Sequence, residues 1–307
     1  KLGAWREDLV REWRDVAKEA QQTGKRDHVG RVHCIVVEKN AELPAGHPSR
    51  KFKGRVVFLG NQVRDEENYQ AMFNDLGSAP SSMVAGRVCD FVGLLPGFLV
   101  QVADAIRAYT QALLMGIVTW IRLPKDQHPP HWQGLRDPVC PLVLALYGHP
   151  DAGSCWEAWC TEQVQKAGFV PVENWPGCFV NKKRSALLSI YVDDFKLAAP
   201  RHEISAVWTS LRSLLSLEDP TPVSRYLGCD MTRCEATLVP DAMPTKRLTG
   251  TRQESAATVK VSETQYDFTS LIESCVDMYE TLAKDCNMRW QTVRGRKVYT
   301  PLVSDES

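Results

Sequence analysis

No stretch of this 307-residue chain is apolar for long enough to cross a membrane. The strongest candidate, FVGLLPGFLVQVA from Phe91, is short and interrupted by Gly93, Pro96 and Gly97; a spanning helix needs about 20 apolar residues in a row. No signal peptide opens the sequence, which starts at Lys1 rather than Met and stops after PLVSDES. These features read as a segment of a longer polypeptide, with no membrane partner. Charge of one sign is also lacking: 37 Lys and Arg balance 37 Asp and Glu, so no overall field argues for nucleic acid. Ten cysteines include no Cys-x2-Cys pair, and Cys155/Cys160 and Cys229/Cys234 have no partnering His motif. That argues against a zinc ribbon and for ordinary reduced thiols in an intracellular protein. His28, His33, His128, His131 and His202 fall in no ligand spacing and read as surface or loop histidines. There is no internal repeat.

What is present is enough to build a core. With 44% hydrophobic and 24% charged residues, the chain fits one large domain or two modest ones. The charge is unevenly spread: residues 1–64 carry 14 Lys/Arg against 8 Asp/Glu, an excess of six, so the remainder is net acidic by six. A locally basic lobe is compatible with a phosphate-contacting surface, although many neutral enzymes show as much.

Periodicity supplies the elements. Trp5, Leu9, Trp13, Val16 and Ala20 recur at helical spacing and predict an amphipathic helix over residues 4–22. VGRVHCIVVEKN and KFKGRVVFLGN read as two strands of a hairpin, joined by the turn-forming AELPAGHPS. A helical segment near 80–95 precedes the strand FLVQVADA, and IRAYTQALL reads as a helix directly after it. VTWIRLP is a strand, and AGSCWEAWCTEQVQKAG a helix ended by Gly168. GCFVNKKRSALLSIYVDDFKLAA reads as strand, turn, strand, acidic turn, strand. EISAVWTSLRSLLSLE is an amphipathic helix, RYLGCDMTRCEATLVP a hairpin, and TQYDFTSLIESCVDMYETLA a last helix. Residues 240–262, rich in Thr, Ser and Lys/Arg, read as a mobile link. Helices alternate with hairpins, so an α+β class fits better than a doubly wound one.

The acidic turn carries the chemistry. In LLSIYVDD, alternation places Leu188, Ile190 and Val192 on one face and Ser189, Tyr191 and Asp193 on the other. Asp193 and Asp194 then stand at the sheet's end, where ligands reach them. Asp104 ends the other strongly apolar strand, FLVQVAD, so neighbouring strands would bring three carboxylates to one edge. Carboxylate oxygens are the hard ligands Mg2+ prefers. A metal pair held ~3.5–4 Å apart can activate an attacking hydroxyl and stabilise a leaving pyrophosphate. Such a pair would also neutralise the mutual repulsion of the acids. The plain alternative is that Asp-Asp simply suits a hairpin turn.

The order of motifs resembles the reverse transcriptase of copia-type LTR retrotransposons. YVDD (191–194) is similar to that family's polymerase signature, and VADAIRAYTQA (102–112) to the segment with its first catalytic Asp. VTWIRLP resembles the strand that follows, and LALYGHPDAGSCWEAW (144–159) the Leu-Tyr-Gly-Leu-Lys-Gln-x-Pro-x-x-Trp box. KFKGRVVFLGNQ (51–62) resembles the Lys-Ala-Arg-Leu-Val fingers segment, and RYLGCDM (225–231) the segment near the primer grip, with Leu227 and Gly228. TQYDFTSLIESC and the late YTPL sit where the family has a thumb helix and a Thr-Pro.

The resemblance implies a right-hand polymerase: an N-terminal helix over 1–28, fingers and an antiparallel-sheet palm over 29–233, and a partial thumb or connection over 234–307. It implies an RNA-directed DNA polymerase, a nucleotidyltransferase acting on deoxynucleoside triphosphates and an RNA or DNA primer–template. Asp104, Asp193 and Asp194 would be the catalytic, metal-holding triad for two Mg2+ ions, with Mn2+ as a substitute. Lys53 and Arg55 would contact the triphosphate, and Tyr109 would be the steric gate that excludes a 2′-hydroxyl. Asp151 stands where most members have a nucleotide-contacting Gln, His149-Pro150 replace Leu-Lys, and Gly153 replaces Pro. RNase H and integrase modules of such Pol polyproteins would lie outside this segment, and the setting would be a cytoplasmic retrotransposon particle. Two other readings stay open: a decayed element relic acting as a nucleic-acid-binding scaffold, and a metal-dependent phosphohydrolase.

Overall fold

Strands with one apolar face and one polar face organise most of the molecule. The computed structural model describes residues 2–39, 44–48, 50–73, 79–238 and 259–286. Among them are five α-helices, fifteen strands and short 3-10 segments, a mixed α+β architecture. The chain divides into two units, one ending at Pro222 and one beginning at Val223. No helix among the described residues is long and apolar enough to cross a membrane.

The first sheet of the first unit runs β1 (Arg11–Glu12), β7 (Pro138–Pro141), β6 (Val118–Arg122), β2 (Asp27–Lys39), β3 (Lys51–Phe58), with β4 (Arg64–Asp65) also paired to β2. The expected hairpin forms from β2 and β3, with Val32 opposite Phe58 and Lys39 opposite Lys51. Residues 41–43 and 49 of its expected turn lie outside the described residues. Val32, Phe58, Ile121, Trp132 and Leu142 form an apolar cluster of this sheet. Helix α1 (Trp13–Thr23) packs Val16 against Val29, Trp120 and Val139 in another.

That helix is shorter than its periodicity predicts. It starts at Trp13 rather than near residue 4, because the preceding segment is drawn into the sheet. Trp5 bridges to Leu142, and Arg11 and Glu12 pair with Val139 and Pro138. The Glu12 carboxylate also accepts the N–H groups of Arg136 and Asp137 at 2.7 and 2.9 Å. A carboxylate that satisfies two backbone donors of a distant loop outweighs a few tenths of helix propensity.

The second sheet, antiparallel throughout, runs β12 (Thr221–Pro222), β5 (Phe98–Asp104), β11 (Asp194–Pro200), β10 (Ala186–Tyr191), β9 (Cys178–Asn181), β8 (Val170–Pro171). Helices α3 (Ala152–Lys166) and α4 (Ile204–Arg212) cover one face, where Trp156, Val164, Val207 and Trp208 meet Leu188, Phe195 and Leu197. Helix α2 (Met83–Leu94) packs on the other face. A Cβ at Gly93 would stand 2.8 Å from the Val100 Cβ, so only glycine allows this approach. Lys196, on the α2 side of β11, donates to Asp90 of α2 at 2.7 Å, and the two side chains are 1% and 2% exposed.

The helix expected over IRAYTQALL is reduced to a 3-10 segment, Ala108–Gln111. Arg107 just before it has φ +54°, which interrupts a right-handed helix. The Gln111 carboxamide donates to the Ile106 and Ser216 carbonyls and accepts the Ser216 N–H, fastening this loop to residues 216–218.

The second unit contains β13 (Arg225–Tyr226), β14 (Cys229–Leu238), β15 (Val259–Asp267) and α5 (Thr269–Asp285). The expected last helix begins at Thr269, since Thr264–Asp267 pair with β14. Of the link expected over 240–262, residues 240–258 lie outside the described residues and 259–262 are strand; YTPL also lies outside them.

Candidate functional site

The end of the second sheet brings the three predicted acids together. In the antiparallel pairing of β5 with β11, Asp104 stands directly opposite Asp194, a position where Cα atoms are about 4.5–5.5 Å apart. The Ala105 N–H donates to the Asp193 carbonyl at 2.7 Å. Asp193 itself belongs to the two-residue turn Val192–Asp193, closed by Tyr191 opposite Asp194. Asp104 is exposed, while Asp193 and Asp194 are half-buried. Burial, then repulsion from Asp193 and Asp104, and then a hydrogen bond with Asp104 push the Asp194 carboxyl up to about 7. Near neutrality the Asp194 carboxyl is therefore partly protonated.

The turn is strained. Val192 has φ +58°, a region that β-branched residues avoid, at a cost of about 1–3 kcal/mol. Its carbonyl accepts the indole N–H of buried Trp156 at 2.7 Å. Helix α3 thus holds the acid-bearing turn in an otherwise unfavoured conformation.

A cleft of about 1170 Å³ opens beside it, lined by Asp104, Asp193 and Glu218 and also by Lys39, Lys53 and Arg55 of the β2–β3 hairpin. Partial desolvation and the charges of Lys39 and Arg55 pull the Lys53 ammonium below its usual range, while Asp193 pulls it the other way. Lys53 therefore senses both its cationic neighbours and the acid turn. Such a site can hold a polyanion on its cations while presenting a reacting group to the carboxylates.

Tyr109 lies on the 3-10 segment and lines a smaller neighbouring cavity of about 40 Å³ with Trp156, Phe179, Ile190 and Val192. Burial and the Asp193 charge raise its hydroxyl above the ordinary value. Its ring meets Tyr147 edge to face, centroids 4.5 Å apart at 73°. Tyr147 lines the large cleft, with the Arg55 guanidinium 5.5 Å from its ring centre. Sequence reasoning did not single out Tyr147; its one signal was membership of LALYGHPDAGSCWEAW.

Asp151 stands apart from this lining. It caps α3, donates its N–H to His149 Nδ1 at 3.1 Å, and has a carboxyl raised by burial. Leu227 and Gly228 form the two-residue turn of the β13–β14 hairpin in the second unit, with φ +49° and +79°, the primed geometry that suits a right-twisted hairpin. Among the predicted surface histidines, His28 is instead buried in β2 at 1% exposure, edge-on to Phe73. All ten cysteines are free thiols.

Among the described residues, no group of three or more His, Cys, Asp or Glu side chains is arranged so that it could hold a metal ion. The donors gathered at the strand end are all carboxylates, the chemistry a hard divalent cation takes. Burial lifts Asp194 most, and the repulsion from Asp193 and Asp104 that adds to it is what a cation would relieve. No family model matches this chain, and no curated protein matches it.

Proposed function

We propose that this chain is the polymerase segment of a reverse transcriptase similar to those of copia-type LTR retrotransposons. The observation that carries the reading is the meeting of Asp104 with Asp193 and Asp194 in a region that also presents Lys53 and Arg55. In this reading the second sheet with α3 and α4 is the palm, the β2–β3 hairpin belongs to the fingers, and the second unit supplies a partial thumb. Asp104 and Asp193 are the principal metal holders and Asp194 a supporting one. Two Mg2+ ions bound there would activate a primer 3′-hydroxyl and stabilise the leaving pyrophosphate. Lys53 and Arg55 bind the triphosphate, Tyr109 restricts the sugar, and the Leu227–Gly228 turn contacts the primer. Contacts to primer–template are mainly to phosphates, hence salt-sensitive and indifferent to sequence.

Primer extension on an RNA template with deoxynucleoside triphosphates and Mg2+ tests this. The native chain should incorporate nucleotide and Asp193→Asn should not; equal incorporation by both rejects the mechanism. A second reading, a relic that binds primer–template without extending it, is favoured by Asp151. It stands in a box where the family has a neutral Gln, and it lies apart from the lining of the cleft. Retained primer–template binding with no incorporation by the native chain selects that reading.

A further inference from the structure

Tyr147 ties the hairpin to the acid-bearing loop through both its backbone and its ring. Its carbonyl accepts the Phe58 N–H at 2.7 Å, at the end of β3. The chain can pass this close because the next residue is Gly148, at φ +86°; a Cβ there would stand 2.1 Å from the Phe58 carbonyl oxygen. Two residues earlier, the Ala145 N–H donates to the Ala112 carbonyl at 2.9 Å, just after the segment that carries Tyr109. The Tyr147 ring is therefore fixed from two directions. One contact is the Tyr109 ring at 4.5 Å, and another is the Arg55 guanidinium at 5.5 Å. Of the two tyrosines, Tyr147 lines the large cleft with Asp104 and Asp193, whereas Tyr109 lines the small cavity beside it.

We propose that Tyr147 is a specificity-determining residue: packed edge to face against Tyr109, it selects deoxyribose over ribose in the incoming nucleotide, and through its face it orients Arg55 toward the phosphates. This rests on the polymerase reading. The reasoning is geometric. A tyrosine that lies behind another ring can restrict a sugar only as far as that ring is held, and a two-ring unit is stiffer than either ring alone. The hydroxyl of Tyr147 is not needed for either contact; the ring is.

The experiment compares kcat/KM for dGTP and GTP in primer extension by the native chain, Tyr147→Leu, Tyr147→Phe, Tyr109→Leu and the double Leu variant. Tyr147→Leu should narrow the deoxy-to-ribo ratio roughly tenfold and raise KM for dGTP more than it lowers kcat. Tyr147→Phe, which keeps the ring, should restore the ratio. The double variant should lose no more selectivity than the stronger single one, because the rings act as one unit. A role confined to folding would slow both nucleotides alike, and an unchanged ratio in Tyr147→Leu, or additive losses, overturns the proposal. If the native chain extends no primer, the polymerase reading falls, and equilibrium dialysis with dGTP and GTP decides the inference separately. A preference for dGTP that Tyr147→Leu narrows sustains it; equal binding of both nucleotides by the native chain overturns it.

Discussion

His149 shows how one side chain ties local hydrogen bonding to pH dependence. It is 4% exposed, and its Nδ1 accepts the Asp151 N–H at 3.1 Å. The ring hydrogen must therefore sit on Nε2, which donates to Thr119 Oγ1 at 3.1 Å, and that hydroxyl passes its own hydrogen to the Ile117 carbonyl. A second ring proton would face the Asp151 N–H. Burial first, then repulsion from His28, lowers the His149 value from 6.5 to about 4. A depressed histidine is neutral in the fold while the unfolded chain takes up a proton. Its contribution is therefore complete above pH 6.5 and is lost as pH falls toward 4, by roughly 3 kcal/mol. Asp194 works in the opposite sense across this window, since its raised carboxyl binds a proton in the fold before the unfolded chain does. The informative quantity is thus the difference between the native chain and His149→Asn, whose carboxamide oxygen can still accept the Asp151 N–H. Urea unfolding at pH 7 and pH 4.5 should show the native chain losing stability relative to the variant as pH falls; parallel pH profiles contradict this assignment.

Elements are held by features of very different visibility. Alternation in LLSIYVDD and FLVQVAD was enough to place all three acids at strand ends, because period-two patterning maps directly onto a half-buried sheet. Lys196 breaks the apolar run of β11 and meets Asp90 inside the molecule, a partner 106 residues away that no local pattern indicates. Removing one member of a buried ion pair strands the other charge, at about 3–5 kcal/mol, while replacing both with apolar residues can be neutral or stabilising. Asp90→Leu should therefore lower the urea midpoint strongly, and Asp90→Leu with Lys196→Met should recover most of it. Equal losses in the single and double variants would show that the charges do not act as a pair. The same distance in sequence explains what was illegible elsewhere. Residues 4–12 carry a helical pattern, yet Glu12 binds N–H groups more than 120 residues on. TQYD carries no helix-stopping residue, yet it pairs with β14. Tyr147 is set apart only by the two groups that pack against its ring, and each comes from another part of the chain.

At the scale of the whole chain, the four apolar clusters among the described residues all end at or before Leu217, inside the first unit. In α5 of the second unit, by contrast, Ile272, Met278 and Leu282 are exposed and Ala283 is buried. The three acids, Lys53, Arg55, Tyr109 and Tyr147 also lie before Pro222, whereas the Leu227–Gly228 turn follows it. Hydrophobic burial drives cooperativity, so a protein comprising residues 1–222 should keep the cooperative behaviour of its unit. It retains eight of the nine tryptophans, Trp290 being the one lost, and so reports on its own packing. The expectation is a single sharp thermal transition with a preserved near-ultraviolet signal. If the polymerase reading holds, dGTP binding survives the truncation while primer extension is lost with the primer-contacting turn. A broad melt without near-ultraviolet dichroism would mean that the first unit depends on residues after 222. Undiminished primer extension would remove the second unit from the reaction, and with it the role given to Leu227 and Gly228.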